Sequence, residues 1–243
     1  MPRFFKSIQS PPSVGEMITV DGQDAVHIRR SLRLREGDEV LVCDGRSTEY
    51  DTVIEAFDGD EVRLTVTNVR PSTAEPSVKV TLYQGLPKGD KLEWIIQKCV
   101  ELGVCEIVPV EMSRSIAKIG DKAEKKHKRL QTIADEAASQ SGRGILPVVS
   151  TPISFREMLT RLGNAPTVVC YEGGGKPFCD LISKDMTTLN IVIGPEGGIA
   201  PDEIDALVCA GGVTATLGRR ILRCETAPVA VLAATMAITG NWA

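Results

Sequence analysis

The sequence predicts an α/β protein in which a small β-rich module precedes a mainly parallel sheet layered with helices. Three observations predict it. The first 70 or so residues are short strand candidates separated by Asp-Gly turns. A polar stretch with two prolines, Arg70 to Ser77, then interrupts that pattern. Beyond it, strand-like and helix-like runs alternate to the end of the chain, the signature of βα repeats.

Each element has a local reason. A short helix is expected between Asp24 and Leu34, with Val26, Leu32 and Leu34 apolar and Arg29, Arg30 and Arg33 turned elsewhere. Residues 39–43 form a strand candidate, Asp44-Gly45 a turn, and 49–56 the next strand. Residues 58–60 then turn into 61–67, whose polar-apolar alternation marks a half-buried strand. Together these suggest a small antiparallel barrel.

After the linker, 78–84 reads as a strand. Asp90 is expected to cap a helix with Glu93 three residues on, an Asp variant of the capping box. Leu92, Ile95, Ile96, Cys99 and Leu102 form its apolar stripe, and Gly103 stops it. Strands are expected at 106–110, 148–149 and 167–171, with helices at 121–139 and 154–162. A strand at 189–193 leads to a glycine turn, and Pro201 opens a helix whose dipole suits Asp202 and Glu203. Gly211-Gly212 ends that helix, 213–216 is a strand, and Thr226 caps a final apolar helix to about residue 238.

Composition excludes several classes. The chain has 243 residues, 42% hydrophobic and 25% charged, which is ordinary for a soluble globular protein. No apolar stretch approaches a membrane span, and the first residues lack an apolar signal core. Seven irregularly spaced cysteines fit free thiols in a reducing compartment, so a cytoplasmic location is expected. No metal centre is expected: there is no C-x-x-C pair, and His27 and His127 stand far apart. His27 reads as structural or surface, and His127 as solvated within a lysine-rich helical run.

The net charge of −4 argues against a uniformly basic coat. Residues 1–35 nevertheless carry six Arg or Lys against three acidic residues, and residues 114–129 carry seven against two. Such patches reach phosphates locally, although the second run also fits a solvated helix face. A third phosphate candidate, Gly173-Gly174-Gly175-Lys176, fits a surface loop as well.

Two glycine-bearing turns carry the most chemistry: Gly194-Pro195-Glu196-Gly197-Gly198, and Leu217-Gly218 through Ile221-Leu222-Arg223-Cys224-Glu225-Thr226-Ala227. Each follows a strand and leads into a helix, the place where open α/β sheets bind ligands. Familiar cofactor signatures are missing: neither a G-x-x-x-x-G-K-[ST] loop nor a G-x-G-x-x-G after the first α/β strand occurs.

The pair of turns, with Ile96 to Val104, Arg114-Ser115, Gln140 to Arg143, Arg3-Phe4-Phe5 and the His27 to Arg33 segment, closely resembles the bacterial 16S ribosomal RNA uridine-N3 methyltransferases. These belong to the SPOUT class. The resemblance covers essentially the whole chain. It implies a PUA-like RNA-binding barrel over residues 1–72 and a SPOUT domain over 76–243, ending in a trefoil knot that binds S-adenosylmethionine. It also implies a homodimer acting on a uridine in the decoding region of small-subunit rRNA. Cys224 departs from the family's usual threonine, and Ile199-Ala200-Pro201 varies the residues after the first turn.

On that reading Gly194, Glu196, Gly197, Gly198, Leu217, Gly218, Ile221 and Leu222 hold the cofactor. Glu196 would bond ribose hydroxyls or cap its turn. Arg223 would stabilise charge on the uracil oxygens, and Glu225 would orient Arg223 or take the proton, unless the two form only a structural ion pair. Arg3, Arg29, Arg30, Arg33, Arg114 and Arg143 are the RNA candidates. Another SPOUT enzyme, acting on ribose 2′-oxygen or tRNA, and a noncatalytic assembly factor are the alternatives.

Overall fold

A computed structural model describes residues 1–119 and 123–242. The chain forms two compact units. The first comprises Met1–Glu75 together with Ala138–Leu146, and the second Pro76–Ala137 with Pro147–Ala243.

The first unit contains strands β1 (Arg3–Phe5) and β2 (Met17–Val20), helix α1 (Gly22–Val26), a π-helical turn (His27–Ser31), and strands β3 (Glu39–Cys43), β4 (Thr48–Asp58) and β5 (Glu61–Pro71). They build one sheet in the order β1-β3-β4-β5-β2. Pairing is antiparallel except between β1 and β3, which run parallel. Alternate residues of the strands, including Val40, Val42, Ile54, Val62 and Leu64, bury one face around Tyr50.

The helical segment departs from expectation. Ala25 and Ile28 are its buried residues, whereas Val26 and Leu32 are 48% and 38% exposed. The widened π turn moves each successive side chain by a different angle from an α turn, so the expected apolar spacing does not apply.

The linker also begins later than its composition suggests. Arg70 and Pro71 close β5, and Arg70 pairs with Glu49 at 2.9 Å and Asp51 at 2.7 Å. Residues Ala138–Leu146 join this unit through Glu75. Its carboxylate accepts from the guanidinium of Arg143 and from the amides of Gly144 and Ile145.

The second unit holds β6 (Lys79–Gly85), α2 (Lys91–Glu101), β7 (Glu106–Glu111), α3 (Ala123–Gln140), β8 (Val148–Val149), β9 (Ile153–Ser154), α4 (Phe155–Arg161), β10 (Thr167–Cys170), β11 (Lys176–Pro177), a 3-10 turn (Phe178–Leu181), β12 (Thr188–Ile193), α5 (Pro201–Cys209), β13 (Val213–Thr216) and α6 (Thr226–Ile238). The last three residues of α3 belong to the first unit. Asp121, the expected start of α3, and Lys122 of the basic run lie outside the described residues.

All strands of this sheet are parallel, in the order β11-β13-β10-β12-β6-β7-β8, with β9 also on β7. Strands buried on both faces need apolar runs, which β6, β7, β10 and β12 supply. The order also creates a switch point. From β10 the chain moves to one side for β12, then returns to the other side for β13. Loops leaving these strands therefore open a crevice at their carboxyl ends.

Helix ends show where local signals succeed and fail. Ser154 and Glu157 form a full capping box at α4. Asp90 makes no side-chain cap at α2, because its backbone is not extended (ψ 7°) and Glu93 turns instead to Arg129 at 2.8 Å. At α6 Glu225 is the capping position and Thr226 the first helical residue.

Candidate functional site

The carboxyl ends of β10, β12 and β13 finish level with one another, since Cys170 pairs with Ile193 on one side and Ala215 on the other. The segments that follow, beginning at Tyr171, Gly194 and Leu217, enclose a cavity of about 560 Å³. That size falls within the roughly 300–1,000 Å³ usual for small-molecule sites. Both glycine turns line it, with every residue of theirs expected to hold a cofactor, and with Arg223 and Glu225.

Two glycines are dictated by geometry. Gly198 has φ +71°, and a Cβ there would lie 2.2 Å from a carboxylate oxygen of Glu172. Gly218 has φ +96° in open space, so its loop turns towards the cavity without a side chain. The first turn is further held from below. Arg114 donates to the carbonyl of Gly197 at 3.1 Å, and buried Glu203 accepts from the amides of Ser113 at 2.8 Å and Ala200 at 3.2 Å.

The charged groups are arranged differently from expectation. Glu225 does not pair with Arg223. Its carboxylate meets Lys91 at 3.2 Å, and the same ammonium lies 2.9 Å from Glu196. Glu196 also accepts from the amide of Lys88 at 3.1 Å, so its observed contacts are internal to the site wall. Arg223 is exposed and makes no ion pair among the described residues. Sequence reasoning missed Lys91, because the nearby Arg223 looked like the natural partner of Glu225 and nothing local pointed to a cation on a distant helix.

Titration follows from these contacts. The hydrogen bond to Glu196 holds Lys91 above its ordinary range, against partial burial and with help from Glu225. Burial pushes Glu196 and Glu225 up. Contacts to the charged forms outweigh it: Lys91 and backbone amides for Glu196, the Cys224 thiol, its own backbone and Lys91 for Glu225. Both carboxyls end below the usual range. Burial, with Glu225 beside it, pushes the Cys224 thiol up to about 12, so it is protonated and donates to Glu225 at 3.2 Å.

The RNA candidates divide. Arg3 and Arg143 are engaged within their own unit: Arg143 is 4% exposed and bound to Glu75, while Arg3 is held by Glu49 at 3.0 Å and the carbonyl of Arg143 at 2.8 Å. To reach a phosphate, either guanidinium would have to give up a carboxylate partner inside its unit. Arg29 lies over the ring of Phe57 at 5.0 Å and donates to the carbonyl of Gly59. Arg30 and Arg33 are exposed, and exposed Arg114 sits at the first glycine turn. Of the basic run, Lys118 pairs with Glu111 and Arg129 with Glu93. His127 is not simply solvated: its Nε2 lies 2.6 Å from the carbonyl of Val149.

Comparison with known proteins is consistent across the chain. Residues 74–236 match the model of an RNA methyltransferase domain, and residues 20–67 that of an RNA methyltransferase PUA domain. The ribosomal RNA small subunit methyltransferase E of Bacillus subtilis is 39% identical over 225 residues, covering 89% of this chain and 88% of the relative. The protein of the same name from Mycobacterium bovis is 30% identical, covering 97% and 92%. A crystal structure of ribosomal RNA small subunit methyltransferase E from Neisseria gonorrhoeae, bound to S-adenosyl methionine, is 30% identical with a TM-score of 0.88, covering 98% of each chain.

Proposed function

Because the chain belongs to the ribosomal RNA small subunit methyltransferase E family, we propose that it methylates N3 of a uridine in the decoding region of 16S rRNA. It is an S-adenosylmethionine-dependent rRNA methyltransferase, with an N-terminal PUA domain and an α/β methyltransferase domain. The observation that carries the reading is the meeting of both glycine turns around one cavity at the switch point of the parallel sheet.

The residues present suit this cofactor. Backbone amides and the apolar Leu217 and Leu222 fit an adenine, no phosphate clamp is needed, and the ionised Glu196 and Glu225 suit a cation. When bound, S-adenosylmethionine supplies an electrophilic methyl on a sulfonium. The glycine turns would hold its sugar and methionine parts and fix the direction of approach.

For transfer, the uracil imide must lose its N3 proton as the N–C bond forms. Arg223, free of carboxylate partners, would stabilise the negative charge that spreads to the uracil oxygens. Glu225 is ionised at neutral pH and so has the protonation state of an acceptor, although the contacts that lower its pKa also weaken it as a base. The target base must leave its stack, at about a few kcal/mol. Arg29, Arg30, Arg33 and Arg114 would hold the RNA backbone meanwhile.

The same reading includes a trefoil threading of the last segments, supported by the return of the chain across β10. It also includes a homodimer, supported by an α6 that is apolar around its circumference and by exposed Trp94 and Trp242, and a cytoplasmic location, in keeping with free cysteines. The test is incubation with labelled donor and small subunits lacking the modification, followed by nucleoside mass spectrometry. 3-Methyluridine at one decoding-region position is expected; ribose methylation or no transfer overturns the proposal.

A further inference from the structure

Among the described residues lining the cavity, Lys91 alone comes from outside β10, β12, β13 and the segments that follow them. It is the first residue of α2, a helix anchored by the buried side chains of Leu92, Ile95, Ile96 and Cys99. Its backbone is therefore fixed by the core, while its ammonium reaches Glu196 in one glycine turn and Glu225 at the end of the other. Among the described residues no other ion pair links those two segments.

We propose that Lys91 is a positioning residue that ties the two cofactor turns to the core and to each other, setting the aperture of the cavity before the methyl donor arrives. This rests on the cofactor reading above. Without the ammonium, two carboxylates are left facing one site with no shared counter-ion, and like charges push the turns that carry them apart. The donor must then order both turns as it binds, which weakens affinity through lost preorganisation. The three groups are a fifth to a third exposed, so the effect is moderate rather than absolute.

Calorimetry with S-adenosylmethionine tests this on the full-length protein. Lys91→Met should weaken binding about five- to tenfold, and Lys91→Arg should recover most of the loss. In a Glu196→Gln/Glu225→Gln background, Lys91→Met should cost less than about twofold, because the partners it acts through are already neutral. Wild-type affinity in Lys91→Met, or an undiminished cost in the double-glutamine background, overturns the proposal. Should Lys91→Met fail to fold, the double-glutamine protein, which keeps Lys91, must itself bind several-fold more weakly; unchanged binding there overturns it equally. Failure of the wild-type protein to bind the donor would instead sink the cofactor reading on which this rests.

Discussion

Two arginines of the first unit and two of the second carry the same charge and do opposite things. In the first unit Arg3 and Arg143 are enclosed, each meeting a carboxylate, Glu49 or Glu75, from a distant part of the chain. In the second, Arg223 is exposed at the cavity and Arg114 is exposed beside the first glycine turn, and neither meets a carboxylate among the described residues. The difference teaches that a cation becomes available to a substrate only where folding leaves it without a counter-ion. Basic residue counts cannot make that distinction.

The comparison breaks first, and hardest, at the enclosed pairs. Removing one partner leaves a charge buried alone, so Arg143→Met should cost about 3 kcal/mol of stability. Denaturant titration measures it, and S-adenosylmethionine affinity should not change. A wild-type midpoint would mean that the pair is ornamental. At the cavity, Arg223→Ala should instead leave the melting temperature alone and lower turnover about a hundredfold, with donor affinity within about twofold. Turnover near wild type would remove Arg223 from the chemistry.

A pH series sharpens the contrast. Burial pushes Glu49 up, but hydrogen bonds from Ser72, Arg3 and Arg70 outweigh it and leave the carboxyl below its ordinary value. A carboxylate with a lower pKa folded than unfolded stabilises the fold above the unfolded pKa. That contribution disappears as pH falls through the folded value. The first unit should therefore lose stability on acidification, and Glu49→Gln should flatten the dependence, as circular dichroism against pH would record. The smallest effect belongs to the exposed pair. Arg30→Gln and Arg33→Gln should each reduce the slope of log affinity against log salt by about one, without altering donor binding. An unchanged slope would move the RNA contact elsewhere.

Sequence legibility followed the range of the interaction. The alternating strand and helix runs, the placing of Pro201 and Gly103, and the two glycine turns depend on neighbours within a few residues, and all are readable directly. Arg143 and Glu75 are 68 positions apart, and Lys91 acts on Glu196 and Glu225 across more than a third of the chain. Only the fold brings those together, so Arg143 looked like an RNA contact and Lys91 looked like nothing. Asp90 failed for a different reason. Its sequence signal is sound, but Glu93, the other half of the box, is drawn away by Arg129.

The return of residues Ala138–Leu146 to the N-terminal unit has a consequence for biosynthesis. That unit is discontinuous in the chain, with the partner of Glu75 encoded 68 residues downstream. As the polypeptide emerges from the ribosome, the leading module can collapse early but cannot close its last ion pair until the first strands and helices of its neighbour have also appeared. A fragment cut at the apparent linker would be born without its keystone, and expression trials of the isolated module should carry residues 138–146 in trans or by fusion.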